Sequence, residues 1–308
     1  MSKTLPVSFP SADGIHTIGG MTYLPDGDIS AVILVAHGMT EYFGRYEEFC
    51  LAMNERGFAV SGHDHLGHKS SVKDDSELGF FAEKDGWRPV LADLLQHVQL
   101  LRRQYPDRPL ILLGHSMGSF ISRCFLAEHS DLVDAAILSG TGGPNPAVGA
   151  GKFLASVLCA LGQSKKPGKL LQKIAFGSYN QGFEKRTAYD WLTRDNGVVD
   201  RYAADPYCTF LFTNSAFRDL FTFYATCSAP AAYRSVRKDL PILVLSGKED
   251  PVGGRDGIGP ETVAQTYQDT GHSRVKLLLY PGARHELFNE TCRREVFDAV
   301  GNWLNANL

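Results

Sequence analysis

Hydrophobic positions in this chain change period several times, and each change marks an element. Ala31 to Ala36, Leu110 to Leu113 and Pro241 to Leu245 are short, nearly unbroken apolar runs. Runs of this kind predict strands buried on both faces of a parallel sheet. Phe58–Ser61, Val133–Ser139 and Val275–Tyr280 are expected to join them. Between the runs the spacing becomes helical, over Tyr46–Arg56 (closed by Gly57), Ser119–His129, Thr262–Gln268 and Val296–Leu304. The longest such segment, Trp87–Gln104, sets Val90, Leu91, Leu94, Leu95, Val98 and Leu101 on one stripe. Residues 7–13 and 16–25 read as two strands that meet at Asp13-Gly14, which predicts an antiparallel hairpin at a sheet edge.

Strands alternating with helices predict an α/β fold, a mostly parallel, doubly wound sheet. The alternation stops between about Pro144 and Val236. There the helical patches are Lys152–Leu161 and Leu170–Ile174, and aromatic residues crowd the second half from Phe183 to Tyr224. Residues 1–143 and 237–308 are therefore expected to form one α/β domain. Residues 144–236 are expected to be an inserted, mainly helical cap projecting from the strands' C-terminal ends. Most of its aromatics would form the cap's own core, and a minority would line a tunnel.

The apolar run Leu110–Leu113 ends in Gly114-His115-Ser116-Met117-Gly118, and a helical pattern follows. Strand, G-x-S-x-G turn and helix together predict a nucleophile elbow, with glycines where the chain reverses too tightly for side chains. Ser116 is the candidate nucleophile. A serine hydroxyl needs a base, and His285, in Pro281-Gly-Ala-Arg-His285 after the last predicted strand, lies at the same end of the sheet. A carboxylate must hold the imidazole in its working tautomer. Asp250 is chosen over its neighbour Glu249 because Pro251 holds the preceding residue extended. Backbone donors for an oxyanion are expected from Met117, which follows the nucleophile, and from Met39, after the first buried strand. Gly38 and His115 beside them are the expected substrate contacts. The chain order Ser116, Asp250, His285 is that of the α/β-hydrolase fold.

Composition narrows the partners. The net charge is −3 and the pI about 6.4, which gives no reason to expect nucleic acid. The first residues lack the apolar core of a signal peptide, and no apolar run approaches the roughly 20 residues of a membrane span. Six widely spaced cysteines show no C-x-x-C pair, so reduced thiols and a cytoplasmic location are expected. His63, Asp64, His65 and His68 raise the thought of a metal. Their spacing matches no helix-borne ligand pair, so a hydrogen-bonded loop is expected, with no metal and no cofactor. Residues 144–236 carry 11 Lys/Arg against 6 Asp/Glu, leaving 20 against 28 elsewhere. Phe153, Leu154, Val157, Leu158 and Leu161 at helical spacing, followed by Lys165, Lys166, Lys169 and Lys173, have the composition of a segment that rests on an anionic lipid surface. A cap helix covering the site, with solvated lysines, has the same composition.

One ordered set of residues carries a family likeness. It runs His37-Gly38-Met39, Gly44-Arg45-Tyr46, Asp64-His65-Leu66-Gly67-His68, Gly114-His115-Ser116-Met117-Gly118, Gly247-Lys-Glu-Asp250-Pro251-Val252 and His285-Glu286. It resembles the monoacylglycerol lipase and lysophospholipase branch of the α/β-hydrolases, grouped with the serine aminopeptidases. The resemblance covers residues 7–143 and 237–308. It implies Ser116, Asp250 and His285 as a triad, with Met39 and Met117 as oxyanion donors. The loop after His37-Gly38 departs from the mammalian lipase in reading Met-Thr-Glu-Tyr-Phe. The expected activity is serine carboxylic-ester hydrolysis through an acyl-enzyme, on a monoacylglycerol or a lysophospholipid. The alternatives are a proline-type aminopeptidase, which the basic cap disfavours, a small-ester esterase, and a ligand receptor built on a hydrolase fold.

Overall fold

In the computed structural model, which describes residues 3–308, the apolar runs become the central strands of one eight-stranded sheet. The strands are β1 (Lys3–Pro10), β2 (Thr17–Leu24), β3 (Ala31–Ala36), β4 (Phe58–His63), β5 (Leu110–His115), β6 (Ala135–Ser139), β7 (Ile242–Gly247) and β8 (Val275–Tyr280). Their spatial order is β1-β2-β4-β3-β5-β6-β7-β8. β1 and β2 run antiparallel to their neighbours and the other pairs are parallel. Alternate residues of β3 explain its unbroken apolar run. Ala31, Ile33 and Val35 pack into the core on one face, Val32 and Leu34 into the core on the other.

The helices are α1 (Glu47–Asn54), α2 (Trp87–Gln104), α3 (Met117–His129), α4 (Ala147–Leu158), α5 (Lys169–Phe176), α6 (Asn196–Ala204), α7 (Pro206–Thr209), α8 (Asn214–Ser228), α9 (Pro230–Ser235), α10 (Ile258–Asp269) and α11 (Arg293–Asn307). α1 and α11 cover one face of the sheet, and α2, α3 and α10 the other. The hairpin sits at the edge as expected, but β1 starts at Lys3 rather than residue 7, and its turn is longer. Asp93 holds that turn, accepting from Ser11 Oγ at 2.8 Å and Ala12 N–H at 2.6 Å. Pro6 is tolerated in β1 because one side of an edge strand has no ladder to donate to.

Helices α4–α9 occupy the connection between β6 and β7. α8 lies on α3, the helix that follows Ser116, with Phe217, Leu220 and Phe223 buried in the main core. Removing each such side chain from water contributes roughly 1.5–3 kcal/mol. Arg123 of α3, 1 % exposed, donates to Gly142 O at 2.9 Å and Cys227 O at 3.0 Å, and to the Tyr233 hydroxyl. α4 begins at Ala147, earlier than the spacing predicted, because Asn145 Oδ1 accepts the Ala147 N–H at 2.9 Å. All six cysteines are free thiols. Among the described residues, no helix is long and apolar enough to cross a membrane.

Candidate functional site

Ser116 stands at the junction of β5 and α3 with φ 52° and ψ −120°, in a region a side chain makes costly. Such strain is worth roughly 1–3 kcal/mol and persists only where the surroundings impose it. Here three backbones are in contact. A Cβ on Gly118 would lie 2.0 Å from Ala36 O, and one on Gly114 would lie 2.4 Å from Gly118 O. Ser116 N–H donates to Ser139 O at 2.9 Å, and Ser119 Oγ donates to Ser116 O at 2.6 Å. The elbow is thus fixed from both neighbouring strands, with the hydroxyl carried into a cavity.

The other two candidate residues come together beside it. His285 Nδ1 lies 2.9 Å from Asp250 Oδ2, both residues being buried. Asp250 Oδ1 accepts the Val252 N–H at 2.8 Å, and Ser246 Oγ donates to Oδ2 at 3.4 Å. Glu249 points outward and is exposed. Burial disfavours the charged imidazole, but the Asp250 carboxylate prevails, with Glu286 and Glu41 beyond it, and holds the His285 pKa above its ordinary value. The ring is packed between His115 and Trp191, at centroid distances of 4.7 and 5.1 Å. Ser116 and His285 line one cavity of about 400 Å³. No hydrogen bond joins them among those the described residues form. Such bonds are often long in an empty site and tighten with substrate.

His37, Gly38 and Met39 follow β3 and pass in front of Ser116. His65 N–H donates to His37 Nε2 at 2.9 Å, so the His37 proton sits on Nδ1 and is donated to Gly38 O at 2.8 Å. His65 Nε2 donates to His37 O at 3.1 Å. His63 and His97 share a 2.8 Å Nδ1 contact. Burial pushes all these imidazoles down, His63 to about 3 and His68 to about 4. Neutral rings bracing backbone groups thus shape the loop. Asp64, the fourth member of the suspected cluster, accepts from Phe43 N–H and from Ser70 instead. Among the described residues, no group of three or more His, Cys, Asp or Glu is arranged to hold a metal.

Met117 is the first residue of α3, so its N–H belongs to the first-turn amides that lack an intrahelical acceptor. Met39, Met117 and Ser116 also line a second cavity of about 310 Å³, walled by Phe120, Val148, Leu220 and Phe221. Glu41, Lys173 and Glu286 put charged side chains in the wall of the first cavity, and no charged side chain lines the second. Gly38 and His115 both line the first cavity. Ser116 therefore lines two cavities, one with charged side chains in its wall and one without.

Two features had no sequence signal. Gly140, at φ 59°, follows β6, and a Cβ there would lie 2.9 Å from His285 Cε1. Arg45 donates to Glu286 through both nitrogens at 2.6 Å, across 241 residues of chain.

The family model described as "Serine aminopeptidase, S33" matches residues 27–292. Mouse monoglyceride lipase is 29% identical over 288 residues, which is 92% of this chain and 85% of that protein. The monoacylglycerol lipase of Mycolicibacterium smegmatis is 28% identical over 304 residues, 98% of this chain and 97% of that one. Among solved structures, a thermostable carboxyl esterase from Bacillus coagulans, in complex with glycerol, superposes with a TM-score of 0.92 at 28% identity. That match covers 99% of this chain and 98% of the esterase.

Proposed function

The chain belongs to the serine aminopeptidase S33 family and is a carboxylester hydrolase with the α/β-hydrolase fold, and from that premise we propose that it cleaves monoacylglycerols through an acyl-enzyme on Ser116. The observation that carries this reading is the position of Ser116 on the wall of two cavities, one with charged side chains and one without, beside a paired histidine and carboxylate. The acyl chain lies in the cavity without charged side chains and the polyol in the one that has them. Ser116 Oγ attacks the ester carbonyl while His285 Nε2 takes its proton. Asp250 holds the Nδ1–H and stabilises the imidazolium. The carbonyl oxygen becomes an oxyanion held by the Met39 and Met117 amides, each donor worth about 3–4 kcal/mol of barrier in acyl transfer. The C–O bond breaks as His285 returns its proton to the leaving alcohol. Water, deprotonated by the same ring, then releases the fatty acid and restores Ser116.

The insertion acts in this reading as a cap that meets the lipid. Phe153, Leu161, Leu170 and Ile174 are 71, 68, 52 and 60 % exposed. Lys165, Lys166, Lys169 and Lys173, also exposed, are interleaved with them along the chain, and Ile174 also lines the second cavity. Exposed apolar side chains interleaved with exposed lysines suit transient contact with an anionic bilayer surface.

A substrate panel tests the assignment. Monoacylglycerols should be hydrolysed well ahead of lysophosphatidylcholine and of amino-acyl nitroanilides. Preference for the lysophospholipid would move the head-group assignment, and turnover of the nitroanilides alone would restore the aminopeptidase.

A further inference from the structure

We propose that Glu41 is a positioning residue for the proposed reaction: its carboxylate anchors the Gly38 amide so that the next one, of Met39, is presented to Ser116. Through Arg45 it also ties that donor loop to the loop carrying His285. The inference rests on the acyl-enzyme reading above.

Glu41 is 2 % exposed and lines the first cavity without a role in proton transfer. Its Oε1 accepts the Gly38 N–H and, at 2.9 Å, the Tyr46 hydroxyl. Its Oε2 accepts from Arg45 Nη1 at 2.9 Å. Arg45 continues to both oxygens of Glu286, next to His285, and Glu286 N–H donates to Leu192 O of the insertion at 2.7 Å. A chain of charge-assisted bonds therefore joins the donor loop to the base loop, and a backbone hydrogen bond joins the base loop to the insertion.

The backbone around Met39 is held on each side. Gly38 O is held by His37 Nδ1–H, and Gly38 N–H by Glu41. Thr40 adopts φ 49°, uncommon for a residue with a branched Cβ, and its carbonyl accepts the Tyr202 hydroxyl at 2.9 Å. A Cβ on Gly38 would lie 2.7 Å from Glu41 Oε1 and 3.1 Å from Ser116 Cβ. Glu41 and the nucleophile thus press on the same glycine, and a change in the reach of the carboxylate moves the loop against Ser116.

The charged and titratable groups around Glu41 are Arg45, Tyr46, Glu286, Tyr202, Cys208 and His285. Burial, resisted by Arg45 and reinforced by Glu286, pushes the Glu41 carboxyl up to about 7. Its charge also helps to raise the His285 pKa. Geometry and charge can therefore be separated by substitution.

Glu41→Asp keeps the charge but withdraws the oxygen by one methylene. Glu41→Gln keeps an acceptor within reach of the Gly38 N–H, but it removes the charge and turns an NH₂ towards Arg45 Nη1. Both are assayed on a soluble short-chain ester across pH, in protein whose melting curve and fluorophosphonate labelling show a folded, reactive Ser116. Glu41→Asp should lose about 30-fold or more in kcat with KM within about threefold, since an oxyanion donor acts in the transition state. Glu41→Gln, which keeps the Gly38 acceptor, should lose less in kcat than Glu41→Asp while its acidic limb moves to lower pH. An Asp variant within about threefold of wild type in kcat would overturn the proposal. So would a Gln variant that loses as much as the Asp variant without moving the limb. Wild-type protein that fails to label at Ser116 would instead overturn the acyl-enzyme reading beneath it.

Discussion

Asp250→Asn replaces one oxygen with an amide nitrogen and should reduce turnover far more than its size suggests. Asp250 Oδ1 accepts the Val252 N–H at 2.8 Å, a backbone donor that cannot become an acceptor. The carboxamide oxygen is therefore held at that position, and the NH₂ takes the place of Oδ2, 2.9 Å from His285 Nδ1. Two donors cannot face each other there, so the ring proton moves to Nε2, the nitrogen that must accept from Ser116. The flipped amide would restore the tautomer only by opposing a buried N–H to an NH₂. That costs about 1–3 kcal/mol, so the flipped form amounts to roughly 0.6–20% of molecules. Loss of the charge that stabilises imidazolium adds to this. A fall in kcat on the order of 10⁴ is expected, about 5.5 kcal/mol of barrier. The pH profile gives a second reading. The working ring is neutral, so wild-type kcat/KM falls as pH drops through the raised His285 pKa. Without the carboxylate that limb moves to lower pH. The assay is release of nitrophenol from a short-chain ester, beside Glu249→Gln as control, because Glu249 is exposed. An Asp250→Asn variant within tenfold of wild type, or a Glu249→Gln variant that is the worse of the two, would refute the assignment of the acid.

Gly140→Ala places a Cβ 2.9 Å from His285 Cε1 at a φ of 59°. It should lower kcat about tenfold or more while costing roughly 1–2 kcal/mol in stability, read by turnover and thermal melting. Unchanged kcat would show that the ring tolerates displacement. Changing Lys165, Lys166, Lys169 and Lys173 together to Gln should weaken co-sedimentation with anionic vesicles and flatten its salt dependence, each lysine contributing about 1 kcal/mol. Turnover of a short soluble ester should not change. Equal binding by both proteins, or binding by neither, would remove the lipid-surface role.

The parts of this molecule legible from sequence are those whose geometry restricts residue type locally. The elbow is one, because backbone contacts at Gly114 and Gly118 exclude every side chain. The central strands are another, because two buried faces demand unbroken apolar runs such as Ala31–Ala36. Asp250 and His285 were findable because each follows a strand that ends on the same side of the sheet. The Glu41–Arg45–Glu286 chain was not, since Glu286 meets Arg45 only after the sheet brings together loops 241 residues apart. Gly140 looked like any glycine after a strand. Its requirement comes from His285 and His115, which approach it in the folded state. The end of β1, at Pro10 rather than residue 13, was misplaced because Asp93, on α2, holds the hairpin turn and no local pattern reports it.

The most direct test of the central claim is the site of covalent capture. The protein is incubated with a fluorophosphonate, digested, and the adduct mapped by mass spectrometry, with monoacylglycerol hydrolysis measured in parallel on wild type and Ser116→Ala. The account predicts one adduct, on Ser116, absent from the variant, and hydrolysis reduced on the order of 10⁴ or more in Ser116→Ala. An adduct on another residue, or monoacylglycerol turnover that survives in Ser116→Ala, would contradict it.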